Sequence, residues 1–162
     1  MTDTPERYSQ EIEAINKSII SFNEYLNAKY SIPKINAQTM LTDQNCIQIL
    51  HQNWDGFGFP NSEKRGVYFV FGREMTTDRN GVYIGKASFG STIGRRLSSH
   101  LTGFRNCEQF IMKGYNSEVY VLEWIISIDL DAISAPFLAP ALEEYLIAET
   151  RKQINLINGT GN

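Results

Sequence analysis

Cysteine is nearly absent from this chain: 162 residues hold two, Cys46 and Cys107, far apart and in no metal-ligand spacing. That excludes a disulfide scaffold and a thiolate zinc site. Two reduced thiols suit a cytoplasmic protein. No apolar run approaches the ~18 residues of a membrane span, so no membrane partner is expected. The first residues, Met1 to Glu6, are polar and acidic, which excludes a secretory leader. Internal repeats and low-complexity tracts are missing too. Strong net charge is also lacking: the total is −3, too small to advertise a polyanionic partner.

The charge is unevenly spread, however. Residues 81–117 carry Lys86, Arg95, Arg96, Arg105 and Lys113 against Glu108 alone, a net of +4. The segments before and after it are both net negative. A local positive patch can hold phosphates whatever the total charge. A solvated helix face would look the same. With 42% hydrophobic residues the chain has enough apolar surface for a real core.

Thr4-Pro5 reads as a helix cap followed by proline at the first helical position. Ile12, Ile15, Ile19, Phe22 and Leu26 then recur at helical spacing. A second helix is expected over 42–52, with Cys46, Ile47, Ile49 and Leu50 as its apolar positions. Gly56, Gly58 and Pro60 make 53–65 a loop, and Trp54, Phe57 and Phe59 dock it on the core. Gly66 to Phe71 and Gly81 to Gly85 read as paired strands, with Asn80-Gly81 as the tight turn. Ser91 or Thr92 caps a helix that runs to Leu101 and ends at Gly103. Val119 to Ile128 is a third strand. Pro136 and Pro140 open a last helix with Leu142, Tyr145, Leu146 and Glu149 on one side. The expected fold is α+β: a small, mainly antiparallel three-stranded sheet (β-β-α-β-α) flanked by helices. Residues 1–65 form an N-terminal helical extension packed on the 66–162 domain.

Several side chains in this frame carry chemistry. Tyr68 and Tyr83 face one another across the first hairpin, though aromatic cross-strand pairs are also ordinary sheet glue. Arg96 and His100 are four apart and stack on one helix face. Arg96 leans over the sheet edge, where a guanidinium can fork onto a phosphate, while Arg95 faces water. Glu143 lies at the margin of the last helix's buried side and Glu144 points outward. A rim carboxylate can hold a hard cation such as Mg²⁺; alone it equally reads as a solvated glutamate. Asn155, among apolar neighbours, can bond backbone groups in a turn or brace a phosphate. Asn158 and Asn162 read as turn residues. Lys86 alternates away from Gly85 and can turn toward Tyr68 or a phosphate.

Taken in order, these motifs resemble the GIY-YIG nuclease family. Gly66-Val67-Tyr68 is similar to its first signature and Tyr83-Ile84-Gly85 to its second, with fourteen residues between the two tyrosines. Arg96-Leu97-Ser98-Ser99-His100 is similar to its helix motif, Glu143-Glu144-Tyr145-Leu146-Ile147 to its glutamate motif, and Asn155 to the asparagine that follows. Lys86 after the second signature, and Gly159-Thr160-Gly161-Asn162, look most like the restriction-endonuclease branch. The resemblance covers residues 66–162, about 60% of the chain, and residues 1–65 lie outside it.

The resemblance implies a metal-dependent endonuclease that hydrolyses phosphodiester bonds in double-stranded DNA with one divalent cation, Mg²⁺. Glu143 would hold the metal. Tyr68 would take a proton from the attacking water, helped by Lys86 or the metal, while Tyr83 and His100 orient water and ring. Arg96 would stabilise charge at phosphorus, and Asn155 would brace the site. Arg95, Arg105 and Lys113 would contact the substrate. This requires Tyr68 in an open pocket with Arg96 and Glu143. Recognition is expected from residues 1–65, from loops 73–80 and 103–116, or from a second subunit in a homodimer. Two alternatives stay open: a structure-specific repair or recombination nuclease, and a catalytically silent nucleic-acid-binding module of the same fold.

Overall fold

The computed structural model describes residues 5–36, 46–48, 59–101, 105–106 and 109–158. A 3₁₀ turn (Pro5–Tyr8) leads into α1 (Ser9–Tyr25). Ile12, Ile15, Ile19 and Phe22 sit at intervals of three and four and are buried, as an amphipathic helix requires. The helix stops where Asn27 and Ala28 enter the left-handed region at φ 52° and 61°. Two asparagines of α1 then hold the returning chain. Asn23 exchanges hydrogen bonds with both backbone groups of Ile32 (2.9 and 2.8 Å), and Asn16 does the same for Ile35 (2.7 and 2.8 Å). Each carboxamide offers a donor and an acceptor, as a strand backbone would.

The remaining elements are β1 (Cys46–Gln48), β2 (Gly66–Glu74), β3 (Asn80–Ala87), α2 (Ile93–Leu101), β4 (Arg105–Asn106), β5 (Gln109–Lys113), β6 (Val119–Asp129), a 3₁₀ turn (Pro136–Leu138) and α3 (Ala139–Thr150). The strands form an antiparallel sheet in the order β3-β2-β6-β5-β4, with β1 also pairing β6. The α+β class holds. The three-strand count does not: six strands are present among the described residues.

Three expectations are corrected. First, Cys46–Gln48 is a strand, not part of a helix; it pairs Trp124–Ile126 of β6. An open sheet edge offers unpaired backbone groups that a short β-branched segment can satisfy. The rest of 42–52 lies outside the described residues, as do Thr4, Trp54, Phe57 and Gly103. Second, β4 and β5 were not foreseen. Phe110 and Met112 point inward by alternation and are buried. Third, Asn80 and Gly81 belong to β3 itself. The turn is one step earlier, where the backbone amides of Glu74 and Asp78 bond Arg79 and Glu74 carbonyls (2.8 and 2.9 Å) and Asp78 adopts φ 58°. The Glu74 carboxylate accepts from Thr76 and Thr77 hydroxyls and ties the turn shut.

The sheet divides the core by parity. Val67, Phe69, Phe71, Val82 and Ile84 face α1 and α3. Tyr68, Val70 and Ala87 face α2, against Ile93, Leu97 and Leu101. Gly66 to Phe71 is buried on both faces, which is why it reads as an unbroken apolar run. Each fully buried aromatic there contributes roughly 1.5–3 kcal/mol of transfer free energy. Strand β3 is the sheet edge, and the C-terminal residues close part of it. Leu156 makes a parallel bridge to Val82; the Ile157 amide donates to the Val82 carbonyl at 2.8 Å, and the Val82 amide donates to the Asn155 carbonyl at 3.1 Å.

Candidate active site

The candidate residues meet at the free end of β3. In the hairpin register Tyr68 lies opposite Gly85, and Tyr83 lies opposite Val70. The two phenols are therefore diagonal neighbours on the α2 face, stacked with centroids 6.4 Å apart and planes 23° from parallel. Gly85 makes this possible. A Cβ there would collide with the Tyr68 ring and its oxygen, so only glycine lets the phenol lie across the strand.

Helix α2 supplies the next layer. The Thr92 hydroxyl accepts from the Arg95 amide at 3.3 Å and caps it. His100 packs on Tyr83, centroids 5.5 Å apart. Arg95 and Arg96 are both exposed, but the Arg96 charge acts on Tyr68, Tyr83 and His100. Helix α3, on the opposite face, delivers Glu143 around the strand edge. Lys86 alternates onto that face and donates to Glu143 Oε2 at 2.6 Å, with the two side chains 29% and 14% exposed. The Glu143 charge reaches both phenols. Tyr68, Tyr83, Lys86, Arg96, His100 and Glu143 thus form one constellation drawn from β2, β3, α2 and α3.

Its electrostatics are lopsided. Burial pushes the Tyr68 phenol well above its ordinary value, and Tyr83 and Glu143 add to this while Arg96 opposes it. Tyr83 is raised by burial and by Glu143, again against Arg96. His100 is lowered, by burial first and by Arg96 second, so its imidazole is neutral near pH 7.

An open pocket over Tyr68 is not found. Tyr68 is 0% exposed, and its oxygen, like His100 Nε2, is buried with no hydrogen-bond partner in the protein among the described residues. The Arg96 guanidinium approaches the phenol oxygen closely enough to lower its pKa by charge and by a loose hydrogen-bonding contact, short of a well-aligned hydrogen bond. Such atoms are rare in native folds because each costs roughly 1–3 kcal/mol.

No protein-family model, curated protein or solved structure matches the chain.

The other expected residues scatter. Asn155 does not join the constellation. Its amide donates to the Asn80 carbonyl (3.0 Å) and the Tyr120 hydroxyl (2.8 Å). It anchors the C-terminal segment at the far end of β3. Asn158 is the asparagine nearer the site. Its carboxamide pairs with both backbone groups of Ile84, at 2.8 and 3.4 Å, between the Tyr83 and Gly85 positions. Apolar neighbours mark Asn155 in the sequence; nothing local marks Asn158. Lys113 is exposed on β5 and Arg105 lies on β4. Asn162 is outside the described residues.

The donor set limits what metal could bind. Among the described residues no group of three or more His, Cys, Asp or Glu could hold an ion. Glu143 stands as a single carboxylate with Lys86 against it. One carboxylate fits a Mg²⁺ that takes its remaining ligands from water and a substrate phosphate. It does not fit a cation held by protein alone. No helix among the described residues is long and apolar enough to cross a membrane.

Proposed function

We propose that this chain is a metal-dependent endonuclease that hydrolyses phosphodiester bonds in double-stranded DNA. The supporting observation is the meeting, at one strand edge, of an exposed guanidinium, a rim carboxylate, a neutral imidazole and two phenols. Arg96 stabilises the charge that develops on phosphorus and is exposed to receive it. Glu143 would hold Mg²⁺, which when bound supplies positive charge beside the phosphate. Lys86 would then be freed from Glu143 to meet a phosphate oxygen.

The proton acceptor differs from the one first expected. Tyr68 is sealed and its phenol is held protonated by burial. His100, neutral near pH 7 and only part-buried, is the better base, acting through Nδ1 because its Nε2 is sealed like the Tyr68 oxygen. Tyr83, half-buried between Tyr68 and His100, orients the water, and Tyr68 supports the Tyr83 ring. A pH–rate profile separates these roles. With His100 as base the rising limb lies below about 6.5, and with a phenol it lies near 10 or above.

A restriction enzyme would cut a plasmid into discrete bands, and a repair or recombination nuclease would smear it or prefer branched DNA. A homodimer would bring one site to each strand of the duplex. The burial of Tyr68 and the Lys86–Glu143 pair favour a second reading, a nucleic-acid-binding module without turnover. Supercoiled plasmid incubated with Mg²⁺ tests the choice: cutting abolished by chelation supports hydrolysis, and intact plasmid despite duplex binding supports the module.

A further inference from the structure

Phe89 is the most exposed large apolar side chain among the described residues, at 79%. It occupies the loop between β3, which carries Tyr83 and Lys86, and α2, which carries Arg95 and Arg96. The loop is not slack. The Ser91 amide bonds the Ser88 carbonyl at 3.0 Å, with Gly90 at φ +77°. A closed turn with that glycine at its third position is the type II pattern, which sets Phe89 at the outward corner. A Cβ on Gly90 would meet nothing within 4 Å, so glycine serves the turn's backbone and not its packing. A closed turn thus displays an aromatic ring to solvent, six and seven residues ahead of two exposed arginines of α2.

The charge of the flanking sequence says what the ring meets. The segment 81–117 carries a net +4. The first amides of α2 are unavailable to a phosphate, because Ile93 and Gly94 donate to the Lys64 and Ser62 carbonyls at 2.8 and 2.9 Å. Phosphate contact there falls to the arginine side chains, which leaves the ring facing what lies between phosphates. An exposed aromatic among cations suits a nucleobase, since stacking tolerates any base and the cations track the backbone.

We propose that Phe89 stacks on or between bases of bound DNA at the mouth of the candidate site. The inference rests on the DNA reading above. The test is fluorescence anisotropy on a fluorescein-labelled, mixed-sequence duplex in EDTA and low salt, paired with a copy carrying 2-aminopurine. Phe89→Ala should weaken binding about ten-fold with an unchanged salt slope and abolish the 2-aminopurine response. Phe89→Trp should restore both. Phe137→Ala, which removes a ring 48% exposed on the 3₁₀ turn before α3, should change neither. Wild-type binding with Phe89→Ala within two-fold and an intact 2-aminopurine signal overturns the stacking role alone. Failure of the wild type to bind any duplex removes the DNA reading, and this inference with it.

Discussion

Removing one oxygen from the interior should stabilise this protein. The Tyr68 hydroxyl has no hydrogen-bond partner among the described residues and no solvent contact. Burying such a group costs roughly 1–3 kcal/mol. The nearby Arg96 guanidinium offsets part of that cost, through its charge and a loose hydrogen-bonding approach to the phenol oxygen. Tyr68→Phe keeps the ring that covers Gly85 and stacks on Tyr83, so no cavity opens. The net gain is about 1–2 kcal/mol, which for a chain of this size raises Tm by roughly 3–6 °C. Urea unfolding should show a higher midpoint at unchanged slope. Any cleavage activity should fall less than about ten-fold, because the proposed proton acceptor is His100 and not Tyr68. A Tm lowered by 3 °C or more would refute the reasoning, since the hydroxyl must then hold a partner. A thousand-fold rate loss with folding intact would return the base to Tyr68.

Gly85→Ala drives a Cβ into the buried Tyr68 ring, and should destabilise by roughly 1–3 kcal/mol in urea unfolding. His100 has a folded pKa below its ordinary 6.5, so the unfolded chain binds the extra proton first as pH falls. Stability from this group is fully present above about 6.5 and declines below it. His100→Gln should flatten that part of a Tm-against-pH curve. Asn155→Ala breaks bonds to Asn80 and Tyr120 and should cost about 1–3 kcal/mol in unfolding experiments, wherever catalysis resides.

Much of the site was readable because it depends on periodicity. The helical wheel separated Arg96 from Arg95 and Glu143 from Glu144. Both arginines prove exposed, but Arg96 is the one whose charge reaches the phenols. Glu143 is tucked at the edge while Glu144 is exposed. Strand parity put Tyr68, Tyr83 and Gly85 on one face. What escaped the sequence depends on distant packing. Asn80-Gly81 has the composition of a hairpin turn, yet Gly81 is needed where the Tyr120 ring and Ile157 press on β3. Lys86 meets Glu143 only because α3 reaches the sheet edge. Tyr68 is sealed because α2 closes over it, a fact no local pattern carries. Strand β1 pairs an edge whose existence depends on β6 being placed first.

The central claim is that Arg96 and Glu143 act together on a phosphodiester. Its most direct test is the rate of plasmid cleavage in Mg²⁺ by the wild type, Arg96→Ala and Glu143→Gln, with duplex binding measured alongside. The account predicts cutting by the wild type and at least a hundred-fold loss in each variant, with Glu143→Gln still binding DNA. Variants that cut at the wild-type rate, or a wild type that leaves the plasmid intact, would contradict it.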